Sequence, residues 1–162
     1  MSTSTLISQS ASDPSLAASP HYAGFWIRTA AGLIDTALWL AITLPLLYFT
    51  YGAEYFDQES PELSYGVVDF VLTWIAPMVV TVLFWLGKQG TPGKLMLSLR
   101  VVDAWTGKAL TPGQSLGRYL GYVPALLVLG LGVIWIGFDA RKQGWHDKLA
   151  KTLVVRVSKP TA

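Results

Sequence analysis

The chain has 162 residues, of which 52% are hydrophobic and only 14% charged, far below the roughly 25% charge of soluble domains. With a mean hydropathy of +0.43 and a formal net charge of +2, it is too apolar to stay solvated as a coil and too weakly basic for a nucleic-acid binder. The absence of cysteine excludes a disulfide framework, thiolate-ligated metal and a thiol nucleophile.

Residues 1–24 hold seven Ser and one side-chain charge, Asp13, and read as a disordered polar tail. No basic n-region or apolar h-region marks a cleaved signal peptide there. A membrane domain is expected over 25–157, with hydrophobic segments at 26–50, 68–87 and 119–138, a basic loop at 88–118 and a short tail at 158–162. Thr29–Thr50 carries one charge, Asp35, whereas Phe70–Gly87 and Tyr119–Phe138 carry none. At about 1.5 Å per residue, some 20 residues cross a hydrocarbon layer of about 30 Å, and each run is long enough. Trp and Tyr bracket the runs, as they do at lipid–water boundaries. A soluble helical core would show a polar stripe at the helical period, which these runs lack.

Charge sets the expected orientation. Residues 51–66 carry Glu54, Asp57, Glu59 and Glu62 and no cation, while 88–118 carry Lys88, Lys94, Arg100, Lys108 and Arg118 against Asp103. The basic loop is expected in the cytoplasm, together with the N-terminus. If 119–138 crossed once, the cations from Arg141 to Lys159 would fall outside, against the same rule. Pro124 and the glycines at 130 and 132 interrupt that segment, and Ser98–Asp103 and Thr152–Val157 look like two strands that can pair only on one side. The expected fold is an all-α membrane protein: two transmembrane helices plus a third hydrophobic segment, either a re-entrant pair or a span, with a small cytoplasmic β element.

Asp35 is the informative charge. A carboxylate at a helix centre costs about 2.5–3.5 kcal/mol on insertion, so it marks a candidate site. It stands about 13.5 Å along the axis from Trp26, near mid-depth. Arg28 lies on the same helix face but roughly 10.5 Å away, too far for an ion pair. Arg28 is expected to snorkel to the headgroups, and Asp35 to find a proton or a partner on another segment. The bland reading of Asp35 is a packing residue between helices.

The blocks Phe25-Trp26-Ile27-Arg28 with Gly32-Leu33-Ile34-Asp35, Gly87-Lys88-Gln89-Gly90-Thr91-Pro92-Gly93-Lys94, Arg100-Val101-Val102-Asp103, Arg118, and Phe138-Asp139-Ala140-Arg141-Lys142-Gln143-Gly144-Trp145-His146-Asp147 followed by Thr152 resemble the RDD family of small integral membrane proteins, over about residues 22–157. The family takes its name from one Arg and two Asp. The resemblance implies that Arg28 and Asp35 are the first two, and leaves Asp139 and Asp147 as alternatives for the last. It also implies a bacterial inner-membrane location and suspected solute or cation/proton transport. Lys151 stands where many relatives have Gly, a departure in the final turn.

Other motifs fail on spacing. Gly87 and Gly93 enclose five residues and Leu95 follows Lys94, so this is a membrane-exit turn and not a phosphate loop. Gly117 and Gly121 form a small-residue pair suited to close helix packing. His146 beside Asp147 reads as a surface pair. With His21 and His146 the only imidazoles, neither a metal centre nor another cofactor is expected, and no base–nucleophile set points to an enzyme. The functional expectation is a solute or cation/proton transporter using an intramembrane carboxylate, and the alternative is a non-catalytic membrane scaffold or accessory subunit. Expected partners are the lipid bilayer, further copies of the chain in a homo-oligomer, and H⁺ or a monovalent cation.

Overall fold

The computed structural model describes residues 21–57 and 66–157. Helix α1, Phe25–Tyr51, is unbroken for 27 residues, about 40 Å. Gly52 ends it in the left-handed region (φ 77°), and its N–H caps the Tyr48 carbonyl at 2.9 Å. The second apolar run comprises α2 (Val67–Phe70), a π-turn (Val71–Ile75) and α3 (Ala76–Lys88). Pro77 has no N–H to offer the Thr73 carbonyl, so the turn before it widens. These are the two helices long and apolar enough to cross a membrane. Along α1 beyond Asp35, Leu38, Leu40, Ile42, Leu44, Leu46 and Phe49 are exposed, which is a surface made for hydrocarbon and not for water.

After α3 comes a short helix, α4 (Pro92–Met96), and then β1 (Leu99–Asp103). The Thr111-Pro112-Gly113-Gln114 sequence starts α5, Pro112–Leu127, with a reciprocal Thr111/Gln114 capping box and Pro at the first turn, the signals expected of a helix start. α5 continues through Pro124, so of the expected interruptions that one does not occur. The break falls at Leu129 and at Gly130, one of the expected glycines, both left-handed (φ 52° and 72°). Then α6 (Leu131–Ile134) and a 3₁₀ turn (Trp135–Gly137) return at 112° to α5. Gly132 permits this close fold: a Cβ there would stand 2.6 Å from Ala125 Cα. Helix α7 (Trp145–Leu149) and β2 (Thr152–Arg156) complete the described chain.

β1 and β2 pair antiparallel, from Leu99 opposite Arg156 to Asp103 opposite Thr152. One strand precedes the third apolar segment and the other follows it, so the segment comes back to the side it left. A single crossing is incompatible with that pairing, and of the two expected forms the chain takes the doubled-back one. The expected disordered tail of 1–24 also needs correcting at its end. Tyr22 bridges Val155, Ala23 N–H donates to Val154 at 2.9 Å and Arg156 N–H to His21 at 2.8 Å, so residues 21–23 add a further edge to β2. The remainder of that tail and 158–162 lie outside the described residues. Ala23, Ala31, Trp85, Leu99, Val101, Leu110 and Val154 form the buried apolar core, where the foot of α1, the end of α3, the sheet and α5 meet.

Candidate functional site

Beside this core lies a buried polar cluster drawn from five parts of the chain. Its centre is Asp147, with no exposed surface. Asp147 is the third residue of α7, and its Oδ2 accepts the Gly144 N–H at 2.9 Å, the usual use of an acid in a first helical turn. The same oxygen receives Arg28 Nη1 at 2.5 Å, and Oδ1 pairs with Arg118 Nη1. Arg28 further donates to the Ala23 carbonyl at 2.9 Å and the Lys142 carbonyl at 2.6 Å. It therefore does not snorkel to the headgroups, contrary to the expectation from the sequence. The protein supplies three acceptors that satisfy the guanidinium better than a mobile headgroup would. Arg118 donates to Thr152 Oγ1 at 2.6 Å and lies over the Trp85 ring at 5.0 Å, a cation–π contact inside the core.

His146 is buried as well, so the surface-pair reading fails. Its ring stacks on Tyr122 at 3.9 Å, and its Nε2 is 3.5 Å from Asp147 Oδ1. Burial, opposed by Asp147 and reinforced by Arg118, Arg28 and Lys94, pushes the imidazole down to about 3, leaving it neutral at physiological pH. Burial alone would raise the Asp147 carboxyl, but Arg118 and Arg28 hold it well below the usual carboxylate range. Gly121 makes room for the imidazole: a Cβ there would lie 3.0 Å from His146 Cα, whereas one at Gly117 would meet nothing. The expected glycine pair thus works through one member.

Asp35 finds its partners on α4 and the turn before it. The Thr91 hydroxyl donates to Oδ2 at 2.5 Å and the Gly93 N–H to Oδ1 at 2.7 Å. Lys94 Nζ is 3.9 Å from Oδ2 and donates to Thr91 Oγ1 at 3.2 Å. Each residue of the Thr-Pro-Gly-Lys block has a task here. Thr91 spends its hydroxyl on Asp35, Pro92 opens the helix, Lys94 supplies charge, and Gly93 allows contact, since a Cβ would be 2.2 Å from the Ala31 carbonyl oxygen. Polar loop therefore covers α1 as far as Asp35, which stands at the foot of the lipid-facing stretch and not at its middle. A groove of about 510 Å³ runs from Asp35 and Thr91 up between α1 and α3 to Ile42 and Pro77.

Of the sequence candidates, Arg28, His146 and Asp147 come together, Asp35 sits one residue pair away through Lys94, and Asp139 stands apart. Asp139 pairs with Lys148 and accepts the Arg141 and Gln143 N–H groups at 3.1 Å each, organising the loop into α7. Its carboxyl is lowered despite some burial, through Lys148 and these N–H groups. Sequence reasoning missed Arg118 as a site residue. The signal was present: Ser115, Arg118, Gly121 and Ala125 share one face of α5 and are all buried, a small-residue face carrying one cation. Asp69 was missed too. It is buried at the far end of α2, where Tyr55 donates to it at 2.7 Å and Thr73 at 3.1 Å. Among the described residues no three His, Asp or Glu side chains converge on a metal-sized site.

The RDD family model matches residues 22–151, the stretch that contains the blocks described above up to the turn before Thr152. The chain belongs to the RDD family. It is 33% identical to "Uncharacterized protein YxaI" of Bacillus subtilis (strain 168) over 147 residues, 82% of this chain and 96% of that protein. It is 30% identical to "Uncharacterized membrane protein YteJ" of the same organism, over 83% of this chain and 80% of that one. A shorter match, 34% identity over 73 residues, relates it to "Uncharacterized protein RP437" of Rickettsia prowazekii (strain Madrid E), covering 45% of this chain and 40% of the relative. No solved structure matches. In this RDD member the Arg of the first helix meets Asp147 of α7, and of the two carboxylates left open by the sequence that one, not Asp139, is its partner.

Proposed function

We propose that this RDD protein is a multi-pass protein of a bacterial inner membrane, with its N-terminus and sheet in the cytoplasm, that exchanges a monovalent cation for protons. The observation carrying this reading is Asp35 at the mouth of the 510 Å³ groove, its side chain 22% exposed and its counter-charge, Lys94, at the loose distance of 3.9 Å. A carboxylate held that loosely can give up its ammonium partner to a proton or a small cation, in alternation. Thr36, Thr81 and Thr91 add hydroxyl oxygens along the same groove. Two crossing helices and one doubled-back segment do not enclose a path, so exchange requires a homo-oligomer that covers the groove. The positive charge of the loops around the sheet supports its cytoplasmic placement, and the Bacillus relatives support a bacterial source. No enzymatic role is proposed, because among the described residues no nucleophile faces a base.

The architectural alternative, a membrane scaffold or accessory subunit, draws on the bonds from Thr91 and Gly93 to Asp35. One experiment separates the two. Purified protein is sealed in liposomes with a trapped pH dye, and Na⁺ or K⁺ is added outside. Exchange predicts proton flux in wild type and its loss in Asp35→Asn, which keeps an acceptor for Gly93 but not the charge. No flux from wild type, or full flux from a well-assembled Asp35→Asn, overturns exchange. Loss of assembly in that variant favours the scaffold.

A further inference from the structure

A second cavity, about 410 Å³, opens between the foot of α1 and the α5–α6 hairpin, and its polar wall joins three cations, Arg28, Lys94 and Arg118, to neutral Thr29, Thr36, Tyr122 and His146, with no carboxylate among the lining residues. The carboxylates that face these groups are Asp147, shared by the two guanidiniums, and Asp35, beside Lys94. Three positive charges against two negative leave one uncompensated. Arg118 carries the clearest sign of a missing partner. It has no exposed surface, yet its Nε and Nη2 meet no acceptor among the described residues. Tyr122 interacts with the same guanidinium, but no oxygen of the described residues stands at hydrogen-bond geometry to Nε or Nη2. A buried guanidinium with unused donors is costly unless an anion completes it.

We infer that this cavity binds a phosphate group, with Arg28, Lys94 and Arg118 supplying its positive wall. The cavity wall also includes Leu33 and Leu126, which are exposed. Apolar side chains at the rim suit the acyl chains of an anionic phospholipid entering sideways, while free phosphate offers the same oxyanion chemistry from the water side. The site shares Lys94 with Asp35 but is read by lipid and phosphate binding, not by proton flux.

Gly32 supplies a clean probe. It lines the cavity, and a Cβ built on it meets nothing within 4 Å, so Gly32→Leu fills the space without removing a charge. Wild type and variants are released from nanodiscs of mixed phosphatidylglycerol and phosphatidylcholine and weighed by native mass spectrometry. Wild type is expected to retain phosphatidylglycerol selectively, Gly32→Leu to retain none, and Lys94→Gln to hold it about fivefold more weakly, the effect of one cation near a membrane surface. In a second arm, inorganic phosphate is titrated onto delipidated protein and the melting temperature followed. A rise in wild type that Gly32→Leu lacks, without phosphatidylglycerol retention, supports the site with a soluble anion as its ligand. Equal retention of both lipids together with no phosphate effect overturns the proposal, as does identical behaviour of wild type and a monodisperse Gly32→Leu in both arms. If Gly32→Leu does not assemble, Lys94→Gln decides, and retention equal to wild type overturns it.

Discussion

A carboxylate with no exposed surface has to be compensated where it stands, and Asp147 is compensated twice, by guanidiniums from helices 90 residues apart in sequence. Removing it leaves Arg28 and Arg118 buried without a counter-charge. Asp147→Asn is therefore expected to cost about 3–5 kcal/mol in detergent unfolding, and Arg28→Met distinctly less, because Arg118 still pairs with the acid. The neighbouring imidazole gives a pH signature. Its folded value of about 3 lies below the ordinary 6.5, so between these values the unfolded chain binds a proton that the native one refuses. Stability should fall as pH drops from 6.5, by at most about 1.4 kcal/mol per pH unit from this group. His146→Phe, which keeps the stack on Tyr122, should flatten that slope in melting curves between pH 6.5 and 4.5. Lys151, the residue standing where the family resemblance implied Gly, has φ 54°. The left-handed region explains the preference, and Lys151→Gly is expected to raise stability by about 0.5–1 kcal/mol in the same assay.

Short elements do the joining. α4 has five residues and no capacity to stand alone, yet it delivers Thr91, Gly93 and Lys94 to Asp35. Its fit against α1 depends on a missing Cβ. Gly93→Ala would push a carbon into the Ala31 carbonyl and should destabilise by about 1–3 kcal/mol, with reduced yield of folded protein on gel filtration. The hairpin of α5 and α6 follows the same logic through Gly132 and Ala125. Its start, at Pro112 and not at the expected 119, is set by the Thr111/Gln114 capping box. Its turn was legible at Gly130, whose lack of a Cβ admits the left-handed region, but not at Leu129, which adopts the same region although nothing in a leucine announces that. Pro124 looked like the break and is not, since its missing N–H falls within a helix that neighbours hold in place.

At the scale of the molecule, the antiparallel strands tie both ends of the third apolar segment to one face. The chain lacks cysteine, so single-cysteine variants report sidedness directly. Lys108→Cys and Val157→Cys, both at exposed positions on the sheet side, are expected to react with an impermeant maleimide from the cytoplasmic side. Glu54→Cys, beyond the far end of α1, should react from outside. Labelling of Lys108→Cys and Val157→Cys from opposite sides would contradict the strand pairing. The same topology keeps all the cations from Lys88 to Arg156 on one face, which removes the conflict that a single crossing creates.

Composition and run length were enough to point to a membrane protein and its two long helices, because hydrophobic transfer and helical length are properties of contiguous sequence; β-branched runs pointed to the two short strands, and the residue blocks carried the resemblance to the RDD family. The partners of the buried charges were decided only in three dimensions. Arg28 found Asp147 and Lys142, Arg118 found Asp147 and Thr152, and Asp35 found Gly93, each across a distance in sequence that no periodicity spans. Burial, which sets the charge state of His146 and the compensation demanded by Arg118, exists only once the separate segments have closed around them.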